Sequence, residues 1–374
     1  MPHTRPAELV RAAILTSLLS VAACGTIAPQ VAYPNVASSA APAAAPPAQP
    51  PGQWDRTLAG LRRSDQRVAD VAWRIVTANA ALCTDLKPQI GLVLQSTLEY
   101  SPRLRPLVIQ ALHIDDRAAI EAVAAGSPAA QAGLRRDDIL LAVNGEPLTT
   151  AAPPAPAGAD DRPATRAPID RAEAAIDAAL AKGPVRLSVQ RGGEEIDVTV
   201  APRTGCAYDA QVLPGSDLNA SADGRHVFVS AALVDYASSD NILAVVLGHE
   251  FAHDVLHHHR REDEKGFARS VLGEFGSTPA SHMVAEKEAD YVGLYLTARA
   301  GYDISDAPEF HRHFPAVAGD LGFSHPGNAE RAAAVAATRD EIVAKRQRGE
   351  PLIPNPASGA PESNQPQSNQ PQTN

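Results

Sequence analysis

Aromatic residues, basic residues and long apolar runs are all scarce in this sequence. Phe, Trp and Tyr make up 4% of the 374 residues, and 33 Lys and Arg stand against 43 Asp and Glu. The acidic balance argues against the basic face that nucleic-acid binding needs. No apolar run approaches the roughly 18 residues of a spanning helix, which excludes a polytopic membrane protein. At about 150 residues per domain, the length suits about two domains.

Cysteine is also scarce, and the first of the 3 cysteines has an informative position. Residues 1–23 combine a basic start with an apolar stretch too short to span a bilayer, which is typical of a secretory signal. The last three of them, Val-Ala-Ala, together with Cys24 resemble the bacterial lipobox, in which cleavage precedes the cysteine and lipid is attached to it. We therefore expect a lipoprotein anchored through Cys24 on the periplasmic side of the bacterial cell envelope. Gly25 favours the outer membrane, by analogy with lipoprotein sorting. An ordinary signal peptide with a chance cysteine is the alternative.

Both ends of the mature chain have compositions that cannot bury a core. Residues 24–53 carry no charge and are rich in Ala and Pro, which predicts an extended tether. Residues 349–374 contain the sequence SNQPQ twice and predict a disordered tail. The predicted body begins with an N-terminal helical segment at 54–87.

Residues 117–145 predict a strand, a Gly-Ser-Pro turn, a short helix and a second strand that ends at Asn-Gly. The string SPAAQAGL…DDILLAVNG resembles the core of bacterial PDZ domains, with Asp137 in place of the usual glycine. The resemblance implies a β-sandwich or barrel with two helices over residues 88–203. Within it, residues 151–168 are mostly Ala and Pro and predict a disordered insertion.

PDZ domains bind extended peptides by adding them as a strand beside a helix. We expect this groove between the strand that contains Ile120, Ala122 and Val123 and a helix at 169–182. The alternative is that the module only spaces or holds together the two halves of the chain.

The segment VVLGHEFAHDVLHHH carries the predicted chemistry. His249 and His253 are four residues apart, so on a helix both imidazoles project from one face and suit two ligands of a tetrahedral zinc site. Glu250 lies about 100° round the helix, where it can reach a water at the metal without ligating the metal. Asp254 is expected to be exposed. A pair of histidines with only a structural role is the alternative.

The third metal ligand has more than one candidate. His259 has the spacing of metzincin proteases, but Leu256 replaces their turn glycine, and we expect the run 257–259 at a solvated helix end. The segment MVAEKEADYVGLYLTARAGYD has helical periodicity and places Glu286 and Asp290 on one face. Glu286 is predicted to complete the site, with Glu288 as the alternative.

The same helix predicts two supporting roles. Asp290 is predicted to hold the free nitrogen of a ligand histidine. Gly293 lies on the same face and would let the two helices approach closely.

Three motifs together resemble the gluzincin metallopeptidases of the HtpX/BepA/Oma kind. They are HExxH, then E-x-x-A-D, then a His-Pro segment with a downstream arginine. The resemblance covers about residues 206–345 and implies a metallopeptidase domain at 204–348 with one Zn²⁺ per chain. It also places His325 near the metal and Arg331 near the substrate. The strand 227–229 is a candidate edge on which substrate could lie extended. Glu250 would be the general base of peptide-bond hydrolysis.

The combined prediction is an α+β protein with a mainly helical HExxH domain, a small strand region and a PDZ-like module. Cys83 and Cys206 bracket that module, and in an oxidising compartment we predict a disulfide between them. The predicted function is a membrane-anchored zinc metalloendopeptidase acting on unfolded or misassembled envelope proteins, with the module selecting or gating substrate. A regulatory envelope partner is compatible with this prediction. The alternative is a catalytically silent, chaperone-like lipoprotein that holds peptides.

Overall fold

The computed structural model describes residues 53–148, 162–261, 279–314 and 328–355. The predicted lipid site at Cys24 and the predicted site residue His325 lie outside the described residues. So do the signal, nearly all of the tether and the tail beyond 355. Among the described helices, none is both long and apolar enough to cross a membrane.

A long N-terminal helix, α1 (Gln53–Ala78), contacts both halves of the body. Its buried residues recur at three- and four-residue spacing, as in Val68, Val71, Ala72, Ile75 and Val76, so one apolar stripe faces the core. A short 3₁₀ turn (Ala80–Leu82) then ends the helical segment, and strand β1 (Leu86–Gln89) follows it.

The PDZ-like half is an antiparallel sheet covered by helices, in the order β2-β3-β4-β6-β7, with β5 paired to β4. Its strands are β2 (Leu92–Gln95), β3 (Ala119–Val123), β4 (Ile139–Val143), β5 (Glu146–Pro147), β6 (Val185–Arg191) and β7 (Glu194–Val200). Its helices are α2 (Arg105–Leu112), α3 (Pro128–Gln131) and α4 (Arg162–Leu180), and a 3₁₀ turn covers Thr97–Glu99.

Two sequence predictions for this half are wrong. Helix α4 begins at Arg162, so residues 162–168 are helical and only 151–161 of the predicted insertion lie outside the described residues. The predicted groove strand, with Ile120, Ala122 and Val123, is β3, which is paired on one side with β2 and on the other with β4. Because β3 lies inside the sheet, it offers no free edge to a peptide.

Two features join the chain segments that enter and leave the PDZ-like half. Strand β1 pairs antiparallel with β8 (Arg203–Cys206), with Leu86 opposite Cys206. Cys83 and Cys206 form a disulfide with Cα atoms 5.5 Å apart. The module is therefore inserted between α1 and the C-terminal half, with both of its ends held together.

The C-terminal half packs helices against a small sheet in the order β10-β11-β9. Its strands are β9 (Asp209–Leu213), β10 (Ala220–Ala222) and β11 (His226–Ser230). Its helices are α5 (Ala231–Tyr236), α6 (Asp240–Val255), α7 (Pro279–Arg299), α8 (Ala307–His313) and α9 (Asn328–Gln347). Together with the PDZ-like half, this confirms the α+β prediction.

Helix α6 forms the centre of this half. The Ser239 side chain accepts a hydrogen bond from the Ile242 N–H, which caps the helix start. The following apolar run is buried on almost every side, between α1, α7 and the small sheet. This packing holds helix α6 in place along its length, and its last two turns place His249 and His253 at the edge of the core.

The structured part of the chain extends further than predicted. Residues 351–355 pack back on α7 and α9, where the Ile353 carbonyl accepts a hydrogen bond from Lys345 at 2.6 Å and the Leu352 carbonyl accepts one from Arg299 at 3.1 Å. The predicted tail boundary at 349 is therefore wrong by several residues.

Candidate metal centre

Three predicted ligands converge where α6 crosses α7. The Nε2 atoms of His249 and His253 are 3.2 Å apart, and each lies 3.5 Å from a carboxylate oxygen of Glu286. Within the described part of the chain, these three side chains form a group whose geometry could hold a metal ion.

The spacing of these atoms fits zinc. Tetrahedral ligands at about 2.05 Å from Zn²⁺ stand about 3.3 Å from one another, close to the observed separations of 3.2 and 3.5 Å. Two imidazoles and one carboxylate with a position left for water or substrate are the donor set of catalytic zinc sites. The residues present therefore fit the metal that the sequence predicts.

Asp290 holds the first ligand histidine from behind. Its Oδ1 accepts a hydrogen bond from His249 Nδ1 at 2.9 Å, which leaves His249 Nε2 facing the metal position. Burial lowers the pKa of His249, but the hydrogen bonds and charges of Asp290 and Glu286 outweigh it and raise that pKa to about 10. The carboxylates therefore favour positive charge here, whether it comes from a proton or a metal ion.

Arg331 lies beside Asp290 and the ligand His249. Its Nε and Nη2 each donate a hydrogen bond of 2.7 Å to the Asp290 carboxylate. Burial raises the pKa of Asp290, but the Arg331 charge and the bonds from Arg331 and His249 hold it well below its usual range. The resemblance implied that Arg331 lies near substrate. Its side chain positions the carboxylate that positions a ligand, and its Nη2 also lies 3.3 Å from His249 Nδ1.

His258 contacts the second ligand histidine, a contact that the sequence analysis missed. Its Nδ1 lies 2.9 Å from His253 Nδ1, and its Nε2 lies 3.0 Å from Glu288 Oε2. The side chain is only 4% exposed, so the expected solvated end at 257–259 is wrong for this residue. Glu288, the alternative ligand, contacts His258 and Arg261 rather than the ligand group.

The other residues of the helix end have different surroundings from those expected. His259 Nε2 contacts the Ala222 carbonyl oxygen, so this residue is not part of the ligand group. Asp254 is buried, not exposed, and its Oδ1 accepts a hydrogen bond from Gly224 N–H at 2.8 Å. Burial raises the pKa of Asp254 to about 8.

Glu250 follows the first ligand on α6 and is partly exposed. Its charge contributes to the raised pKa values of both Asp254 and Arg331, so it belongs to the same electrostatic cluster. His311 on α8 is a further buried histidine that the sequence analysis passed over. Burial lowers its pKa to about 3, and its electrostatic neighbours include Asp290 and Arg331.

The predicted substrate edge at 227–229 is wrong, because β11 is paired on both sides, with β10 and with β9. Strand β10 (Ala220–Ala222) lies at the edge of that sheet and packs against α6. Strand β10 is therefore the edge strand beside the helix that carries the HExxH motif, and its Ala222 carbonyl contacts His259.

The PDZ-like half has its own cleft, between the outer strand β2 and α4. The cavity there has a volume of about 90 Å³. Its apolar wall includes Ile90, Leu92, Leu94, Ile176 and Leu180. Trp73 of α1 and residues 208–211 of the C-terminal half line the opposite side. The cleft of this half thus lies at β2 and not at the predicted β3.

Fold and site together define a two-part protein: a mainly helical half that carries the HExxH motif and the candidate metal ligands, and an inserted PDZ-like module. Comparison with known proteins agrees with this description. Residues 188–277 match peptidase family M48 and residues 120–153 match the PDZ domain family. The M48 match includes His249, Glu250 and His253 and ends before Glu286. These two parts of the chain are therefore similar to peptidase family M48 and to PDZ domains, respectively.

Two curated proteins are similar to this chain. The mitochondrial metalloendopeptidase OMA1 of Schizosaccharomyces pombe is 25% identical over 45% of this chain and 57% of its own length. The OMA1 protein of Saccharomyces cerevisiae is 32% identical over 21% of this chain and 27% of its own length. The chain thus spans less than two thirds of either relative.

Among solved structures, the HtrA3 PDZ domain bound to a phage-derived ligand (FGRWV) matches 32% of this chain and 88% of its own. The sequence identity is 22% and the TM-score is 0.21, which is too low to support an argument about fold.

Proposed function

We propose that this protein is a zinc metalloendopeptidase that hydrolyses peptide bonds in extended or unfolded polypeptides. The observation that supports this most strongly is the ligand group of His249, His253 and Glu286, whose ligand atoms lie 3.2 and 3.5 Å from one another. Glu250 lies next to this group, on the same helix as the two histidines. The similarity of the chain to the two OMA1 metalloendopeptidases supports the same reaction class.

Zn²⁺ held by the three ligands would supply Lewis acidity towards the scissile carbonyl and the attacking water. Glu250 takes the proton from that water and returns it to the leaving amine, as a general base and then a general acid. Asp290 and His258 hold the two imidazoles from behind. A structural zinc site has no need of a base and closes its fourth position with protein, so Glu250 favours catalysis over a structural role.

Substrate is expected to lie extended along β10. The strand is at the edge of the small sheet and runs beside α6, which carries His249 and Glu250. Backbone hydrogen bonds from an edge strand select for extended, locally unfolded chains and against folded ones. This restricts the substrates to polypeptides that expose a stretch of free backbone.

The PDZ module would bind a second part of the polypeptide, with β2 offering backbone groups and the apolar wall of the cleft accepting a side chain. Tyr208 and Asp209 of the C-terminal half line the same cleft. A bound peptide would therefore contact both halves, which supports a role for the module in selecting or gating substrate.

The proposed location is the periplasmic side of the bacterial outer membrane, with the lipid on Cys24 and the tether giving the body reach. The motif at Cys24 supports this location, and unfolded or misassembled envelope proteins are then the available substrates.

The proposal is tested by cleavage of casein and of an unfolded envelope protein by the parent and by Glu250→Gln, with bound zinc measured in parallel. The parent is expected to cleave, and the variant is expected to bind one zinc and not to cleave. If both proteins bind one zinc and neither cleaves, the catalytic proposal fails and a peptide-holding role is favoured.

A further inference from the structure

We propose that His258 and Glu288 are positioning residues that fix the ring orientation and the tautomer of the ligand His253. This inference deepens the proposed function, because it rests on the proposed metal centre. It concerns metal binding and does not depend on whether the protein cleaves peptides.

The positions of the ring nitrogens determine the proton arrangement. His253 Nε2 faces His249 Nε2 at 3.2 Å and Glu286 at 3.5 Å, so its other nitrogen, Nδ1, points away from the metal position. A metal on Nε2 requires the ring proton on Nδ1. That N–H then donates to His258 Nδ1, which lies 2.9 Å away.

The proton of His258 is fixed in the same way. Since its Nδ1 accepts a hydrogen bond, the neutral ring carries its proton on Nε2, where Glu288 Oε2 accepts it at 3.0 Å. The same carboxylate oxygen accepts a hydrogen bond from Arg261 Nη1 at 2.8 Å. The result is a directed chain of hydrogen bonds that ends in an ion pair.

The two ligand histidines are therefore supported in parallel ways. His249 is held by Asp290, which binds Arg331. His253 is held by His258 and Glu288, and Glu288 binds Arg261. Both arrangements end in an arginine, but only the second places an imidazole between the ligand and the carboxylate. An unsupported His253 could rotate about χ2 or adopt the wrong tautomer, and either change would weaken metal binding.

The backbone explains why His258 reaches this place. In a continuous helix, a residue five positions after His253 lies about 140° round the axis and cannot face it. Helix α6 ends at Val255, and His257 has a left-handed φ of 53°. This turn redirects the chain, and a new helical segment starts at His258 beside His253.

The test compares the zinc affinity of His258→Leu, His258→Asn and Glu288→Gln in the full chain, by competition with a chromophoric chelator. His258→Leu removes the acceptor and is expected to weaken zinc binding by about 10- to 100-fold. His258→Asn is expected to restore part of that loss, because its amide oxygen takes the place of Nδ1 and accepts from His253, while the shorter side chain does not reach Glu288. Glu288→Gln is expected to give an intermediate loss.

The matched control is His313→Leu, which removes an exposed histidine that also pairs with a glutamate, Glu309. It should leave zinc affinity unchanged.

Melting of the metal-free proteins shows whether each variant folds. If His258→Leu folds and binds zinc as the parent does, or if Asn restores nothing, the inference is wrong. If His258→Leu does not fold, an unchanged affinity in both His258→Asn and Glu288→Gln supports a purely structural role and also overturns it. An inactive parent with the predicted affinity pattern would contradict the proposed function but leave this inference standing.

Discussion

The backbone of Gly293 on α7 lies directly against the backbone of Gly248 on α6. A Cβ atom at Gly293 would lie 2.7 Å from the Gly248 carbonyl oxygen and 2.7 Å from the His249 nitrogen. Only glycine, whose side chain is a hydrogen atom, permits this approach at both positions. Glu286 lies two turns before Gly293 on the same helix face, so the glycine contact brings that carboxylate to the two ligand imidazoles.

Gly293→Ala is therefore expected to push α7 away from α6 and to weaken zinc binding. The overpacking should also lower the free energy of unfolding by about 1–3 kcal/mol. Urea unfolding and zinc competition measure the two effects. The matched control is Gly60→Ala on α1, where a Cβ meets only an arginine side-chain atom at 3.8 Å. That change should stabilise the helix by about 0.5–1 kcal/mol. Equal effects of both substitutions would contradict the packing argument.

Arg331→Met leaves the Asp290 carboxylate buried without its cation. Because both side chains are largely buried, at 13% and 7% exposure, the loss in the free energy of unfolding should be about 3–5 kcal/mol. Arg331→Lys should recover only part of it, since a lysine cannot make both hydrogen bonds. Arg312→Met is the control, since it breaks an exposed pair with Glu309 that is worth about 0–1 kcal/mol. A similar small loss for both methionine variants would show that the Asp290 pair contributes little.

Loss of the Cys83–Cys206 disulfide should lower the free energy of unfolding by about 2–5 kcal/mol. The crosslink spans a sequence separation of 123 and closes the base of the PDZ half. The double change to serine should reproduce the melting temperature of the reduced parent, and reductant should not affect the variant. If reductant lowers the melting temperatures of parent and variant equally, the crosslink is not the source of the effect.

Asp65 on α1 predicts a pH dependence of stability. Burial raises the pKa of Asp65 to about 7, against the opposing charges of Arg136 and Arg62. The groups that face it include Glu121 on β3 and Tyr100. Because the folded state binds this proton more tightly than the unfolded state, the contribution is complete below the ordinary aspartate pKa of about 3.8. It is lost as the pH rises through about 7.

The melting temperature of the metal-free parent should therefore fall between about pH 4 and pH 7. Asp65→Asn should reduce that fall but not abolish it, because burial also raises the pKa of Glu99 to about 7. The same fall in parent and variant would show that Asp65 does not titrate as described.

The ligand group was predictable because it depends on local helical geometry. The four-residue spacing of His249 and His253 fixes their common face, and the same reasoning places Glu286, Asp290 and Gly293 on one face of α7. The cysteine pairing was predictable because only two cysteines remain after Cys24.

The sequence predictions were wrong where contacts between distant parts of the chain determine the structure. His258 reaches His253 only because the chain turns at His257, and a periodic pattern does not contain that turn. The position of β3 inside the sheet depends on pairing with β2, which precedes it by more than twenty residues. Residues 162–168 have a composition typical of a loop, yet they form the first turns of α4, which packs on the PDZ half.

The most direct test of the proposed metal centre is the zinc content of the purified full chain, measured for the parent, Glu286→Gln and His259→Ala. The parent and His259→Ala are expected to retain one zinc per chain, and Glu286→Gln is expected to lose it during dialysis. Retention of zinc by Glu286→Gln together with its loss from His259→Ala would contradict the account.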